Sequence, residues 1–420
     1  TKTLSRREKF RTILLMRTLI SETISHIGKT VTVEGWIHLR RDHGKLIFLN
    51  LRDRSGYIQI VVSPKTSEKA YEIAKAIRPE FAVKIEGIVK KRPENAIDKN
   101  SPVGSVELGA SEIVIISKAE TLPFDMGGKD LNLELPTLLD NRGLTLRHPK
   151  VAAIFKVQET IIDAFRRACK EKDFTEFQSP VIIPQGAEGG SEVFEIKYFD
   201  HKAYLAQSPQ FYKQIMVGVF ERVFTVNKTL RAEPSVTTRH LAEVTTLDAE
   251  FGFIDSWLDV MDMAEYVVKF MIDSVGSQNS DILKMYNATP PKISAKIPRI
   301  KLREAQEIIF KRTGKDNRQD PDLSPEDERE ICRWSLDEKN SDLVFITHYP
   351  VSKRPFYTFE DPQDKGFTLS FDLIGRGTEW MTGGQRITDY RKLVDNAKKR
   401  GIDLKKSEIY LQAFRYGMPP

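Results

Sequence analysis

The sequence predicts an α+β protein of two domains, a small β-barrel followed by a larger unit of mixed helices and strands. Three observations carry this. At 420 residues the chain exceeds what one ordinary core takes up. Short runs of β-type alternation fill residues 30 to 116 and then stop. An apolar pattern of helical period begins at Val151.

The β-like runs are Val31 to Ile37, Leu46 to Leu51, Tyr57 to Val62, Phe81 to Gly87 and Val106 to Ile116, divided by polar or glycine-bearing turns such as Asp53-Arg-Ser-Gly. With one helix expected at Glu68 to Ala76, five strands fit a closed barrel of the oligonucleotide-binding type. The composition fits an SH3-like barrel equally well. Pro123, Gly127-Gly128, Pro136 and Pro149 then mark a linker. After it, Ile154, Val157, Ile161, Ile162, Phe165 and Ala168 trace an amphipathic helix. The expected boundaries are an extension at 1–15, the barrel at 16–122, a hinge at 123–149 and the second domain at 150–420. A charge- and proline-rich insertion is expected at about 286–340.

With 40% hydrophobic and 30% charged residues the composition is that of a soluble globular protein, and no apolar run is long enough to span a bilayer. Cys169 and Cys332 lack metal-ligand spacing, which argues against a disulfide framework or zinc site and fits a reducing cytoplasm. The net charge of +6 favours a polyanionic partner. Residues 1–15 carry Lys2, Arg6, Arg7, Lys9 and Arg11, and read as a basic arm, a targeting peptide or sequence upstream of a start at Met16. Glu8 and the lack of a small-residue cleavage site count against targeting.

The chemistry concentrates in a few segments. In Thr229-Leu-Arg231-Ala-Glu233-Pro-Ser-Val-Thr-Thr-Arg239-His240-Leu-Ala-Glu243-Val-Thr-Thr-Leu-Asp248 a strand ends in an Arg/Glu pair, crosses a hydroxyl-rich loop and returns. Arginine suits phosphate because its planar fork donates two parallel hydrogen bonds. Taken singly, any two of these residues read as surface ion pairs on a hairpin. Further segments are Phe174-Thr-Glu-Phe-Gln-Ser-Pro180, Gly186-Ala-Glu188-Gly-Gly-Ser, Gln207-Ser208-Pro209-Gln210-Phe-Tyr-Lys213-Gln, Ser370-Phe-Asp372-Leu-Ile-Gly-Arg-Gly-Thr-Glu379 and Gly383-Gly384-Gln385-Arg386.

Together these segments resemble the class II aminoacyl-tRNA synthetases, and within them the aspartyl-tRNA synthetase family of archaeal or eukaryotic style, over Met16 to Pro420. The resemblance implies an oligonucleotide-binding barrel and a catalytic domain built on an antiparallel sheet flanked by helices. It implies that Arg231 grips the α-phosphate of ATP and Glu233 lies near the adenine, with Arg239 and His240 also at the nucleotide. Glu188 would meet the amino group of the amino acid. Ser208, Gln210, Lys213 and Arg386 would line the L-aspartate site, with Asp248 holding the cations in place. Two carboxylates, Asp372 and Glu379, would hold Mg²⁺ against the triphosphate. In the barrel, Phe48 would stack on an anticodon base, Gln59 would bond its edge and Arg41 would contact base or phosphate.

The implied partners are tRNA(Asp), a second copy of the chain through the Pro180 region, and no membrane. His38 and Pro102 stand where relatives that reject tRNA(Asn) carry a bulky Trp and a Lys, so charging of tRNA(Asn) is also expected. Asparaginyl-tRNA synthetase is the nearest alternative; Lys213 and Asp248 point to aspartate. The chain as given stops at Met418-Pro-Pro420, where the family continues into a third motif whose Arg clamps ATP. The expectation for a protein ending there is little or no catalysis, which keeps a non-catalytic tRNA-binding paralogue as a further alternative.

Overall fold

The computed structural model describes residues 17–99, 101–184, 193–233 and 241–420. The extension expected at 1–15, Glu188, Arg239 and His240 lie outside the described residues. The chain divides into two compact units, Thr1–Ala152 and Ala153–Pro420.

In the first unit β1 (Thr30–His43), β2 (Leu46–Asp53), β3 (Gly56–Val62), β4 (Ala82–Lys91) and β5 (Val106–Ser117) form a closed barrel in the order β1-β2-β3-β5-β4. The parallel pairing of β3 with β5 closes it. Helix α1 (Glu68–Ala76) lies between β3 and β4, capped by Ser67, whose side chain accepts from the Ala70 N–H. This order, with its helix, is the oligonucleotide-binding fold rather than the SH3-like alternative. Strict alternation builds the core: Ile47, Leu49 and Leu51 are buried within it, while Phe48, Asn50 and Arg52 face outward. Gly35 is required, since a Cβ there would stand 2.1 Å from the Arg52 carbonyl oxygen on the facing strand. Glu80 is buried and pairs with Arg52 at 2.5 Å and with Arg147 at 3.0 Å.

In the second unit, β6 (Thr175–Glu176), β10 (Arg222–Leu230) and β11 (Glu243–Phe251) form a sheet in the order β11-β10-β6. A small sheet of β7 (Ile182–Ile183), β8 (Glu195–Tyr198) and β9 (His201–Leu205) stands apart from it. The remaining strands β12 (Arg299–Lys301), β13 (Leu343–Thr347), β14 (Ser370–Gly375) and β15 (Thr378–Gly384) form a four-stranded sheet. The longer helices are α2 (Pro149–Lys170), α3 (Gln210–Phe220), α4 (Trp257–Gln278), α5 (Leu302–Thr313), α6 (Pro325–Lys339), α7 (Tyr390–Lys399) and α8 (Glu408–Arg415).

Helix α4 orders both larger sheets. Its Val267 packs with Phe224 of β10, and its Met261, Ala264 and Val268 pack with Phe345, Phe371 and Leu373 of β13 and β14. Because side chains alternate, the intervening residues of β10, β11 and β14 turn to the opposite face. The stretch 286–340 supplies β12, α5 and α6, whose Leu302, Ile309 and Ile331 cover Val344, Ile346 and Ile374. Covered on both faces, β13 reads as the unbroken apolar run Leu343-Val-Phe-Ile.

The amphipathic stripe of α2 departs from its sequence reading. Phe165, Ala168 and Cys169 enter the core, but Ile154 is 55% exposed and Phe155 46%. The apolar pattern continues past the part of the helix that this chain covers. Pro180 is likewise exposed.

Candidate active site and nucleic-acid surface

Helix α3 buries Gln210, Lys213, Gln214 and Val217, spaced to lie on one face. Three of these are polar because the face meets β11, where Leu247, Ala249 and Phe251 go to the core side and Asp248 and Glu250 to the other. Lys213 Nζ donates to Asp248 Oδ1 at 2.8 Å and lies 3.6 Å from Glu250 Oε2. Arg386, two residues beyond β15, donates from Nε to Glu250 Oε1 at 2.9 Å and from Nη2 to Gln210 Oε1 at 3.4 Å. Gln210 Nε2 in turn donates to both Glu250 oxygens at 3.3 Å.

The guanidinium also lies 5.3 Å from the centre of the Tyr357 ring. Two cations and two anions therefore share one pocket. Burial alone would push the Glu250 carboxyl up, but Arg386 and Lys213 hold it below its ordinary value. Burial likewise opposes the Arg386 charge, and Glu250 outweighs it, so Arg386 stays cationic. Around this network lies a cavity of about 150 Å³, lined by Lys213, Asp248, Glu250, Gly384, Gln385 and Arg386 and reaching back between β11 and β15 to Phe371 and Met381. Buried Asp248 Oδ2, Thr225 Oγ1, Asn227 Nδ2, Thr229 Oγ1 and Thr246 Oγ1 have no hydrogen-bond partner among the described residues. By register they share the face of β10 and β11 that carries Glu250. Such a row of unmatched polar atoms is the expected floor of a ligand site.

Arg231 and Glu233 follow directly on β10, with the Arg231 N–H donating to the Ala242 carbonyl at 2.9 Å. The Arg231 side chain is exposed. Ser208 has a structural task, its Oγ accepting the Gln210 N–H at 3.2 Å at the start of α3.

Asp372 and Glu379 come together through an irregularity in the hairpin. Asp372 pairs with Thr382 and Leu373 with Met381, but the register then slips so that Ile374 pairs with Glu379. Glu379 thereby joins the Asp372 face, opposite the one packed on α4. Burial raises the Asp372 carboxyl, and Arg354 beside it at 2.8 Å opposes the rise. Glu379 is reached by solvent, yet its dense surround and then the charge of Asp372 push it up to about 8.

These two carboxylates fit a divalent cation. Buried Asp372 Oδ1 has no well-formed hydrogen bond among the described residues, and the mutual repulsion is of the kind such an ion relieves. Among the described residues no three His, Cys, Asp or Glu gather, so the donor set suits an ion that takes further oxygens from outside the protein.

On the barrel, Arg41 and Val61 are the cross-strand partners of Phe48, and Gln59 pairs with Asn50, gathering the five side chains on one outer face. Phe48 stands edge-on to His43 at 5.5 Å. Gln59 Nε2 donates to Glu107 Oε2 at 3.0 Å. His38 occupies the bulge between Ile37 and Leu39 and packs edge-on at 5.3 Å against Tyr57, two residues before Gln59. Pro102 is exposed in the loop that leads into β5, whose Glu107 pairs with Gln59.

The sequence reading missed Glu250, Tyr357, Arg354 and Tyr349. For Glu250 a signal was present: two residues after Asp248 on a strand, it must share that residue's face. Arg354 lies in a Lys-Arg-Pro stretch that reads as basic loop, and nothing local announces its partner.

Comparison with known proteins agrees with both units. Residues 134–420 match the tRNA synthetases of class II (D, K and N), and residues 31–116 match the OB-fold nucleic acid binding domain. The chain belongs to the class II tRNA synthetases of the D, K and N group. It is 40% identical to the aspartate–tRNA(Asp/Asn) ligase of Thermus thermophilus over 96% of this chain and 92% of that one. It is 36% identical to the aspartate–tRNA(Asp) ligase of Pyrococcus horikoshii over 97% and 92%. Among solved structures, the asparaginyl-tRNA synthetase of Pyrococcus horikoshii complexed with asparaginyl-adenylate is similar at a TM-score of 0.84 and 31% identity, covering 97% of this chain and 92% of that one. Family membership implies an enzyme that uses ATP, an amino acid and a tRNA, typically with a divalent metal. Among the described residues no helix is long and apolar enough to cross a membrane.

Proposed function

We propose that the enzyme activates L-aspartate with ATP and transfers it to tRNA(Asp). The observation that carries this reading is the pair of cations, Lys213 and Arg386, held in one buried pocket by Asp248 and Glu250. Aspartate brings a second carboxylate that adds to the ion pairs of such groups, whereas an amide brings no charge to offset their desolvation.

In the first step an oxygen of the aspartate α-carboxylate bonds to the α-phosphorus of ATP as the bond to the pyrophosphate oxygen breaks. In the second, a terminal ribose hydroxyl of tRNA takes the aspartyl group and the phosphate oxygen of the adenylate leaves. Arg231 grips the α-phosphate and neutralises its developing charge, Glu233 lies near the adenine, and Arg239 and His240 attend the nucleotide. Glu188 receives the ammonium group, while Gln210 and Ser208 orient the amino acid. Asp372 and Glu379 would hold Mg²⁺, which supplies charge neutralisation at the phosphates.

Charging of tRNA(Asn) as well is a second reading, supported by the modest His38 ring against Tyr57 beside the Phe48 and Gln59 face. Dimerisation is supported by an open apolar groove lined by Ile154, Val157, Ile161, Leu247, Ile282 and Tyr286, and the Pro180 region is the further contact the resemblance implies. A reducing cytoplasm suits the two buried free thiols. Pyrophosphate exchange tests the amino-acid assignment: the full-length enzyme should exchange label with aspartate and not with asparagine. Equal exchange with the two would overturn it.

A further inference from the structure

The Asp372 carboxylate already faces a cation of the protein's own. Arg354 Nη2 stands 2.8 Å from Asp372 Oδ1, out of line for a well-formed hydrogen bond among the described residues, and Tyr349 and Thr382 share the same carboxylate. A guanidinium matched to a carboxylate normally makes two parallel hydrogen bonds. Arg354 is anchored elsewhere instead: Nη1 donates to Thr382 Oγ1 at 3.1 Å, and the guanidinium carbon lies 3.9 Å from the centre of the Tyr349 ring. Asp322 and Glu328 add to the negative field at Glu379. The guanidinium therefore compensates charge at Asp372 without saturating it. A divalent ion bound at the same oxygen would be repelled by a guanidinium at contact distance, and Arg354 cannot shed its proton to make way.

We propose that Arg354 is a resident counter-cation that competes with the divalent ion at Asp372, pivoting away from Asp372 Oδ1 on its contacts with the Tyr349 ring and the Thr382 hydroxyl when the ion binds. This rests on the reading of Asp372 and Glu379 as the metal-holding pair. The competition lowers the ion's affinity for the empty site, so that firm binding awaits the extra oxygens of the nucleotide's phosphates.

The test is Mn²⁺ binding to the nucleotide-free protein, followed by the electron spin resonance signal of free Mn²⁺. Arg354→Gln should bind Mn²⁺ at least about tenfold more tightly than the parent, because a like charge near the ion has gone, and Arg354→Lys should bind about as the parent does. Arg354→Met, of similar length and also neutral, gives the same comparison if the Gln variant does not fold. Binding in the neutral variants that is unchanged or weaker, while Asp372→Asn abolishes it, overturns the role of Arg354 and leaves the metal site standing. Indifference of Mn²⁺ binding to Asp372→Asn overturns both.

Discussion

Replacing Lys213 with Ala separates what the pocket does for folding from what it does for substrate. The Lys213 side chain is 6% exposed and its partners Asp248 and Glu250 are 18% and 10% exposed. Glu250 keeps Arg386 at 2.9 Å, so the loss falls on Asp248, whose other oxygen has no hydrogen-bond partner among the described residues. Breaking a buried pair from one side costs about 3–5 kcal/mol. The lower end applies here, because Asp248 lines the cavity and is 18% exposed rather than fully buried. On the proposed pairing aspartate loses one of two cations at its carboxylate, about 2–5 kcal/mol when such a pair is desolvated, which is about 30-fold to 5,000-fold in kcat/KM. Pyrophosphate exchange with aspartate measures the second effect and thermal denaturation the first. The double variant Lys213→Met, Asp248→Asn removes both charges; it should regain most of the lost stability but none of the aspartate activation. A folded Lys213→Ala enzyme within about threefold of the parent in kcat/KM for aspartate, far less than loss of a desolvated charge partner allows, would refute the pairing.

Phe48→Ala should weaken tRNA binding by about 1–3 kcal/mol, the usual worth of one base on an aromatic platform, measured by filter binding; unchanged affinity would remove Phe48 from the interface. His38→Trp should shift the aspartylation ratio toward tRNA(Asp) over tRNA(Asn) by no more than about 1–3 kcal/mol, the worth of one base-pair discrimination, and no shift would mean that the choice is made elsewhere. Glu379 is an acid raised from 4.5 to about 8, so the fold favours its neutral form: the associated stability is complete below 4.5 and is lost as pH rises through about 8. In metal-free buffer the permanently neutral Glu379→Gln should therefore lose less thermal stability than the parent across that window, and parallel profiles would contradict the shift.

The barrel was legible because Ile47, Leu49 and Leu51 alternate with outward residues, a pattern that only a one-sided strand explains. Closure was expected from the five strands and the helix, but the strand order was not legible, since the parallel contact of β3 with β5 joins segments far apart in sequence. In the catalytic unit the motifs named Lys213, Asp248 and Arg386, which the structure brings into one pocket. Glu250 escaped notice because a carboxylate on a strand, taken alone, reads as surface. The shared face of Asp372 and Glu379 depends on a one-residue slip in the hairpin, which no apolar period announces. The α2 pattern gave an apolar stripe correctly but could not say how much of it one chain covers, and Ile154 remains open.

The most direct test of the central claim is the identity of the amino acid esterified to tRNA. With the full-length enzyme, a tRNA(Asp) transcript and an equimolar mixture of labelled aspartate and asparagine, the account predicts that aspartyl ester accumulates and asparaginyl ester does not. Asparaginyl ester in equal or greater amount would contradict the assignment of Lys213 and Arg386 to a carboxylate.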